Sequence, residues 1–197
     1  MLATGFVQSP FVPIAIGFFG LGTCYFVWGG QALFGTPKTS PEVSRALSIW
    51  GIWMGGFMQF ITGVYLMVGL SWFGVYTHQA PLYMAAVAFT SYGVHWFAIG
   101  WRRYIGANDE VDGYMALAFL AISILGVLVF HQAGDVPVTI LFALLALIYL
   151  LEIPTRLASW TAGVRAIGFV QFITAIWLMY LTYGVVMDVA LTQHWWI

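Results

Sequence analysis

Charged side chains are scarce in this chain of 197 residues. Six basic and seven acidic residues make up 7% of the sequence, whereas 62% of the residues are hydrophobic. A soluble globular domain carries roughly a quarter charged residues, so water cannot be the main solvent of this chain. The formal net charge of −1 also argues against a nucleic-acid or polyanion partner. The composition therefore predicts a multi-pass protein embedded in the lipid bilayer.

Cysteine and histidine are also rare, and this excludes most catalytic chemistry. The lone Cys24 rules out a disulfide framework and a cysteine metal site. Four histidines are too few for a histidine-cluster di-iron oxygenase, and His95 and His131 lie at different depths, so they cannot clamp one haem. No Ser-His-Asp pattern, phosphate loop or CxxC motif is present. We therefore predict a protein that is not an enzyme and has no cofactor or metal.

What the sequence has instead is six apolar segments. They lie near Pro13–Phe34, Leu47–Leu70, Pro81–Trp101, Tyr114–Gln132, Pro137–Leu151 and Gly163–Val189. Each is interpreted as a membrane-spanning helix, the short fifth one kinked, tilted or buried by its neighbours. No cleavable signal peptide is expected, because the N-terminus lacks a basic region. Short connections leave no room for an extramembrane domain. The predicted fold is all-α: one domain over residues 1–197, built as a six-helix transmembrane bundle.

The basic residues predict how this bundle is oriented. They fall in three alternate connections, as Lys38 and Arg45, Arg102 and Arg103, and Arg156 and Arg165. By the positive-inside rule these connections face the cytoplasm. Both termini are then on the non-cytoplasmic side of the cell (inner) membrane. Glu152, near the end of the fifth segment, is expected to pair with Arg156 four residues on.

The third segment is interrupted near its middle by polar side chains. Thr90, Ser91, Tyr92 and His95 bring dipoles into hydrocarbon, which is tolerated only where they meet other helices or water. Ser91, Tyr92 and His95 share a helix face, which we interpret as the lining of a solute path. Two interpretations of His95 stay open. It is either a neutral histidine hydrogen-bonded within the bundle or a proton acceptor that lines the pore.

A short pattern in the second segment recurs in the sixth. GFMQFIT at 56–62 is echoed by GFVQFIT at 168–174, so each copy carries a polar pair three residues apart. The pairs are Gln59 with Thr62 and Gln171 with Thr174. They are candidates for pore lining, with helix–helix hydrogen bonding as the alternative. A lining of hydroxyls, amides and aromatics favours a solute that crosses neutral or weakly bound over an inorganic cation.

Several stretches resemble the acetate uptake transporter family, which includes the bacterial succinate–acetate permeases. Residues 51–63 match the family's G-I-x-x-G-G-x-x-Q-x-x-x-G stretch, and residues 88–96 match its A-F-T-S-Y-G-x-x-W motif. The resemblance implies a homohexamer with one pathway per protomer for acetate and similar small monocarboxylates, either channel-like or coupled to protons. Carried over by position, the resemblance places a narrow constriction on Phe19, Tyr92 and Val138.

Departures from this family leave other functions open. Its N-P-A-P-L-G-L signature is altered at 9–15, and the basic loops lie on the side opposite to that of bacterial members. The urea and short-amide channel family is also six-helical and hexameric and carries its basic loops as this chain does. WRRY at 101–104 resembles the W-R-P-Y turn of that family. A urea, amide or ammonia channel is therefore one alternative, and a non-transporting accessory subunit of a membrane complex is another.

Overall fold

The protein is a bundle of long helices. The structure is a computed structural model that describes residues 13–72 and 80–197, so most of the altered signature at 9–15 lies outside it. Within these ranges every regular element is helical. The α-helices are α1 (Ile14–Phe34), α2 (Pro41–Trp50), α3 (Met58–Ser71), α4 (Pro81–Ile105), α5 (Val111–Gln132), α6 (Val136–Leu157) and α7 (Gly163–Leu191). A π-helical segment, Gly51–Phe57, joins α2 to α3, so the three form one continuous helix, Pro41–Ser71.

Five of the helices in the described ranges are long and apolar enough to cross a membrane. They are Pro41–Ser71, Pro81–Ile105, Val111–Gln132, Val136–Leu157 and Gly163–Leu191. Helix α1 has 21 residues, and it contains five glycines together with Tyr25, Trp28 and Gln31. It packs extensively along α7. The sixth crossing, by α1, remains a prediction.

The fifth apolar segment forms a longer helix than its hydrophobic run indicates. Helix α6 begins beside Asp135, whose carboxylate accepts a hydrogen bond of 2.9 Å from the Val138 N–H and so caps the helix. At the other end the helix continues through Glu152 and Pro154 to Leu157. A charge and a proline therefore end the apolar run without ending the helix.

Glycines bring α4 against the helix Pro41–Ser71. A Cβ atom on Gly55 would lie 2.7 Å from the indole of Trp96, and one on Gly63 would lie 2.4 Å from the backbone nitrogen of Thr90. No side chain fits at such distances, so these glycines set how closely the two helices approach. The close approach places the middle of α4 in the centre of the bundle, where Tyr92 and His95 are buried.

We expect Gly63→Ala to lower the melting temperature of the detergent-solubilised protein. Its new methyl group would meet Thr90 at 2.3 Å from the hydroxyl and 2.4 Å from the backbone nitrogen. Overpacking of this kind costs about 1–3 kcal/mol. Gly30→Ala is the matched control, because the nearest atom there, on the Phe172 ring, is 3.8 Å away. Equal melting temperatures for the two variants would contradict the close approach of α4.

Candidate solute pathway

A narrow cavity opens between the first turns of α1, α4 and α6, and we call it the apolar cavity. It has a volume of about 70 Å³. Its walls are mainly hydrophobic, with Phe18, Phe89 and Val138 among the lining residues. Three polar residues also line it, namely Gln59, Tyr92 and Asp135. A cavity of this size has room for a few water molecules or for one small solute.

A second, wider cavity opens at the opposite end of the bundle, and we call it the basic vestibule. Its volume is about 820 Å³, and its lining includes four arginines and two acidic residues. The charged lining residues are Arg45, Arg102, Arg103, Arg156, Asp109 and Glu152. Its deepest lining residues come from the middle of the bundle and include Tyr25, His95 and Tyr149. The two cavities therefore differ strongly in polarity.

The two cavities follow the same three helices and are one helical turn apart. Along α4 the apolar cavity ends at Tyr92 and the vestibule reaches His95, three residues on. Along α6 the corresponding residues are Leu145 and Ile148, and along α1 they are Leu21 and Tyr25. One turn of helix corresponds to about 5.4 Å along the axis. A single layer of side chains therefore separates two cavities that enter from opposite ends.

Aromatic rings dominate this separating layer. The rings of Tyr92 and Tyr149 lie 6.1 Å apart and nearly parallel, at 10°. Phe119 of α5 lies 5.5 Å from each of them, and the His95 ring lies 4.5 Å from that of Phe119. We call these four residues and Tyr25 the aromatic layer. The layer carries no ionised group at neutral pH when its histidine is neutral.

A hydrogen-bond chain fixes Tyr92 in the layer. Its phenol oxygen lies 2.8 Å from the hydroxyl of Ser123, which donates to the carbonyl of Phe119 at 2.7 Å. Because the Ser123 proton is used in that bond, the Tyr92 hydroxyl is the donor to Ser123. The chain joins α4 to α5 and holds the Tyr92 ring between the two cavities.

Three buried polar atoms beside the layer have no hydrogen-bond partner in the part of the chain that the structure describes. They are Oε1 of Gln59, on a side chain only 1% exposed, Nδ1 of His95 and the indole Nε1 of Trp96. Unpaired buried polar atoms are uncommon, since each is costly without a partner. Gln59 lines the apolar cavity and His95 lines the vestibule, so each is placed to bind a solute or water there.

Phe19, predicted in the constriction, lies elsewhere. It is 43% exposed on the outside of this chain, whereas its neighbour Phe18 is buried and lines the apolar cavity. One position corresponds to about 100° around a helix, so Phe18 and Phe19 face different surroundings. Tyr92 and Val138 both line the apolar cavity, and the constriction itself remains a prediction.

The other predicted lining residues are divided between the cavities and the helix contacts. Gln171 lines the vestibule, but Thr62 and Thr174 line neither cavity, because their hydroxyls donate to carbonyls of their own helices at 2.8 and 2.7 Å. Thr90 does the same with Ala86. Ser91 turns away from Tyr92 and, with Thr90, lines a groove between α4 and α5. The three threonine hydroxyls therefore bond within their own helices and not to a neighbouring helix.

Sequence reasoning used the arginines only to orient the chain and missed that they line a cavity. Glu152 pairs with Arg156 as expected, at 3.5 Å, but it also lines the vestibule. Arg156 makes a second, closer ion pair with Asp109, and Arg102 pairs with Asp112 at 2.6 Å. The sequence signal for this cluster was available, since an acid inside an apolar segment needs a partner.

Comparison with known proteins identifies the fold. No protein-family model matches the chain, and no curated protein matches its sequence. A solved structure, described as that of the bacterial acetate channel SatP, superimposes with a TM-score of 0.73 at 16% sequence identity, covering 94% of this chain and 97% of that one. The chain has the fold of that channel. The resemblance to acetate uptake transporters is thus confirmed at the level of the fold, and the chain is a multi-pass membrane protein.

The assignment of Phe18 to the cavity wall gives a direct labelling experiment. We expect Phe18→Cys to react with a small water-soluble thiol reagent, because its side chain faces the cavity. Phe19→Cys is the matched control one residue away, and it should stay unlabelled in a bilayer, where a thiol in hydrocarbon remains protonated. Cys24 is buried and contributes no background. Labelling of Phe19→Cys alone would contradict this assignment.

Proposed function

We propose that this chain is a membrane channel or transporter for small monocarboxylates such as acetate, with one pathway through each protomer. The observation that carries the proposal is the pair of cavities that approach each other from opposite ends along α1, α4 and α6. Only the aromatic layer lies between them. Movement of its rings by a few ångströms joins the cavities into one passage. An accessory subunit has no need for such paired cavities.

Size and polarity favour a solute of a few non-hydrogen atoms. The apolar cavity, at about 70 Å³, excludes sugars and longer metabolites. Its walls solvate an ion poorly, so a solute with an apolar end and one polar end fits best. Acetic acid has this shape, since its methyl group suits Phe18 and Val138 and its carboxyl group suits the free acceptor of Gln59.

Charge favours a carboxylate at the vestibule. Arg45 and Arg103 line it without an acidic partner among the described residues. They raise the local concentration of a small anion. The anion then meets an uncharged layer, where it crosses most easily with a proton. The order of a basic vestibule followed by an uncharged aromatic layer supports transport of the carboxylate together with a proton.

The amide oxygen of Gln59, which is unpaired among the described residues, favours a urea or short-amide channel as the second candidate function. An amide solute matches an unpaired amide acceptor in an uncharged cavity as well as a protonated acid does. The two candidates differ at the vestibule, because a neutral amide gains nothing from Arg45 and Arg103. Competition between the two solutes therefore separates them.

The proposed arrangement in the membrane rests on the position of the basic residues. All six basic residues lie at the vestibule end of the bundle, so the vestibule faces the cytoplasm and both termini face outward. With α1 as the sixth crossing, the protein spans the cell membrane six times. A homohexamer is proposed from the resemblance alone.

We expect the reconstituted protein to accelerate acetate uptake, more at mildly acidic than at neutral pH, because the protonated acid crosses the aromatic layer more easily. Radiolabelled acetate uptake into proteoliposomes, with urea as competitor at both pH values, measures this. Flux equal to that of empty liposomes would overturn the proposal. Selective urea flux that acetate does not inhibit would favour the second candidate.

Substitution of Tyr92 tests whether the aromatic layer limits solute size. We expect Tyr92→Ala to admit longer monocarboxylates, since it removes the ring that lies 6.1 Å from Tyr149. Tyr92→Phe is the control that keeps the ring and removes the bond to Ser123. Uptake of acetate relative to longer acids gives the readout. The same selectivity in both variants would place the constriction elsewhere.

Asp135 gives a pH prediction at the mouth of the apolar cavity. Burial raises the pKa of this carboxyl, so it takes up a proton at a higher pH than a free aspartate and stops repelling carboxylates in mild acid. We expect Asp135→Asn to increase acetate uptake at neutral pH and to flatten its pH dependence. Asparagine also caps helices, so α6 should keep its start.

Asp188→Asn is the matched control for this variant. Asp188 lies near the end of α7 and accepts a hydrogen bond of 2.8 Å from the Trp195 N–H, but it does not line the cavity. Asparagine retains an acceptor for that bond. An unchanged pH profile in Asp135→Asn, or an equal change in Asp188→Asn, would remove Asp135 from the pathway.

A further inference from the structure

Two of the four vestibule arginines are already neutralised and two are not. Arg102 and Arg156 pair with acidic side chains, as described above. Arg45 and Arg103 form no ion pair and donate no hydrogen bond to any residue in 13–72 or 80–197. The overall charge of −1 therefore conceals a local excess of positive charge on one wall of the vestibule.

Aromatic rings hold these two guanidinium groups in place. The Cζ atom of Arg103 lies 4.5 Å from the ring centroid of Trp28, and that of Arg45 lies 6.0 Å from the ring of Tyr104. The indole N–H of Trp28 donates to the carbonyl of Leu47 at 2.7 Å, two residues along from Arg45. These contacts link α1, α2 and α4 into a closed ring that places both arginines at the same corner of the vestibule.

Stacking leaves the donors of an arginine free. A guanidinium contacts a ring through its flat face, whereas its five N–H groups point outward in its own plane. The Nε–H of Arg102, which also lines the vestibule, is buried and has no acceptor among the described residues. The hydroxyl-bearing residues Thr39 and Ser44 line the same cavity. The wall thus offers guanidinium donors of Arg45 and Arg103 that no acceptor among the described residues occupies.

We infer that this wall binds a multiply charged oxyanion of the phosphate class. A monocarboxylate carries one charge and is matched by one guanidinium, whereas Arg45 and Arg103 supply two forks that suit the several oxygens of a phosphate. The vestibule has room for it, at about 820 Å³. The bound anion occupies the arginine wall of the vestibule, whose lining extends to Tyr149 and His95. If the proposed function holds, phosphate on this wall competes with the solute and slows its passage from that side.

Titration calorimetry of the detergent-solubilised protein with inorganic pyrophosphate tests the site without any transport assay. We expect saturable binding that weakens with added salt. Arg45→Gln with Arg103→Gln should weaken it about tenfold or more, since charge-assisted hydrogen bonds are lost. Arg165→Gln is the matched control, because Arg165 is exposed at the same end of the bundle and does not line the vestibule. No saturable binding, or equal loss in the control, overturns the inference.

Two further variants keep the test decisive if the double variant does not fold. Arg45 is exposed, so Arg45→Gln alone should fold and still weaken binding. Arg103→Lys keeps the charge but removes the fork, and it should bind less tightly than the natural chain. Natural affinity in both variants would overturn the assignment to this wall.

Reconstitution distinguishes a free phosphate from a lipid headgroup. Pyrophosphate binding that persists in phosphatidylglycerol vesicles assigns the wall to a soluble anion, whereas binding that survives only in phosphatidylcholine vesicles assigns it to an anionic headgroup. Loss of binding in both overturns the site.

Acetate uptake is measured separately with pyrophosphate on the vestibule side. Binding without inhibition would leave the site standing and remove its inhibitory role, and binding in a protein that passes no acetate would count against the proposed function only.

Discussion

The close approach of α4 to the helix Pro41–Ser71 determines where every functional group lies. Trp96 packs on Gly55, and the backbone of α4 at Thr90 packs on Gly63, with no space for a Cβ atom at either glycine. Helices in a membrane gain little from hydrophobic burial, so such close contacts supply much of the specificity of their packing. Once α4 is central, Tyr92 and His95 are buried one turn apart between the two cavities.

The predicted segments followed directly from composition, because an apolar run long enough to cross a bilayer forms a helix that satisfies its own backbone. In the ranges that the structure describes, helices cover most of each apolar run and extend beyond the runs near the charged and proline-containing ends. The structure differs most at α2 and α6, which extend through Glu42, Arg45 and Glu152 because these side chains reach the ends of the bundle. Hydropathy measures only where the apolar run ends. A helix continues beyond that point as long as its backbone hydrogen bonds continue.

The rotation of each helix could not be predicted from the sequence in the same way. Thr62, Thr174 and Ser91 are polar residues in apolar runs, as a pore lining requires, yet none of them lines either of the two cavities. Which side of a helix faces a cavity depends on its partners, and one residue of offset separates Phe18 from Phe19. The π-helical segment Gly51–Phe57 adds to the difficulty, because its wider turn rotates everything that follows it relative to an ideal α-helix.

For the proposed carboxylate channel, the distribution of charge along the pathway would allow carboxylates to be favoured without strong binding. Arginines attract the anion at the vestibule, where water still solvates it, so selection takes place at low cost. The aromatic layer has no fixed charge, and an unpaired anion there would lose its solvation without compensation. A strong cationic site in the layer would remove that barrier but would also trap the solute. In the proposed function, the arginines at one end and the rings of Tyr92 and Tyr149 in the middle separate attraction of the solute from its passage. Protonation of the solute is then the step on which crossing would depend.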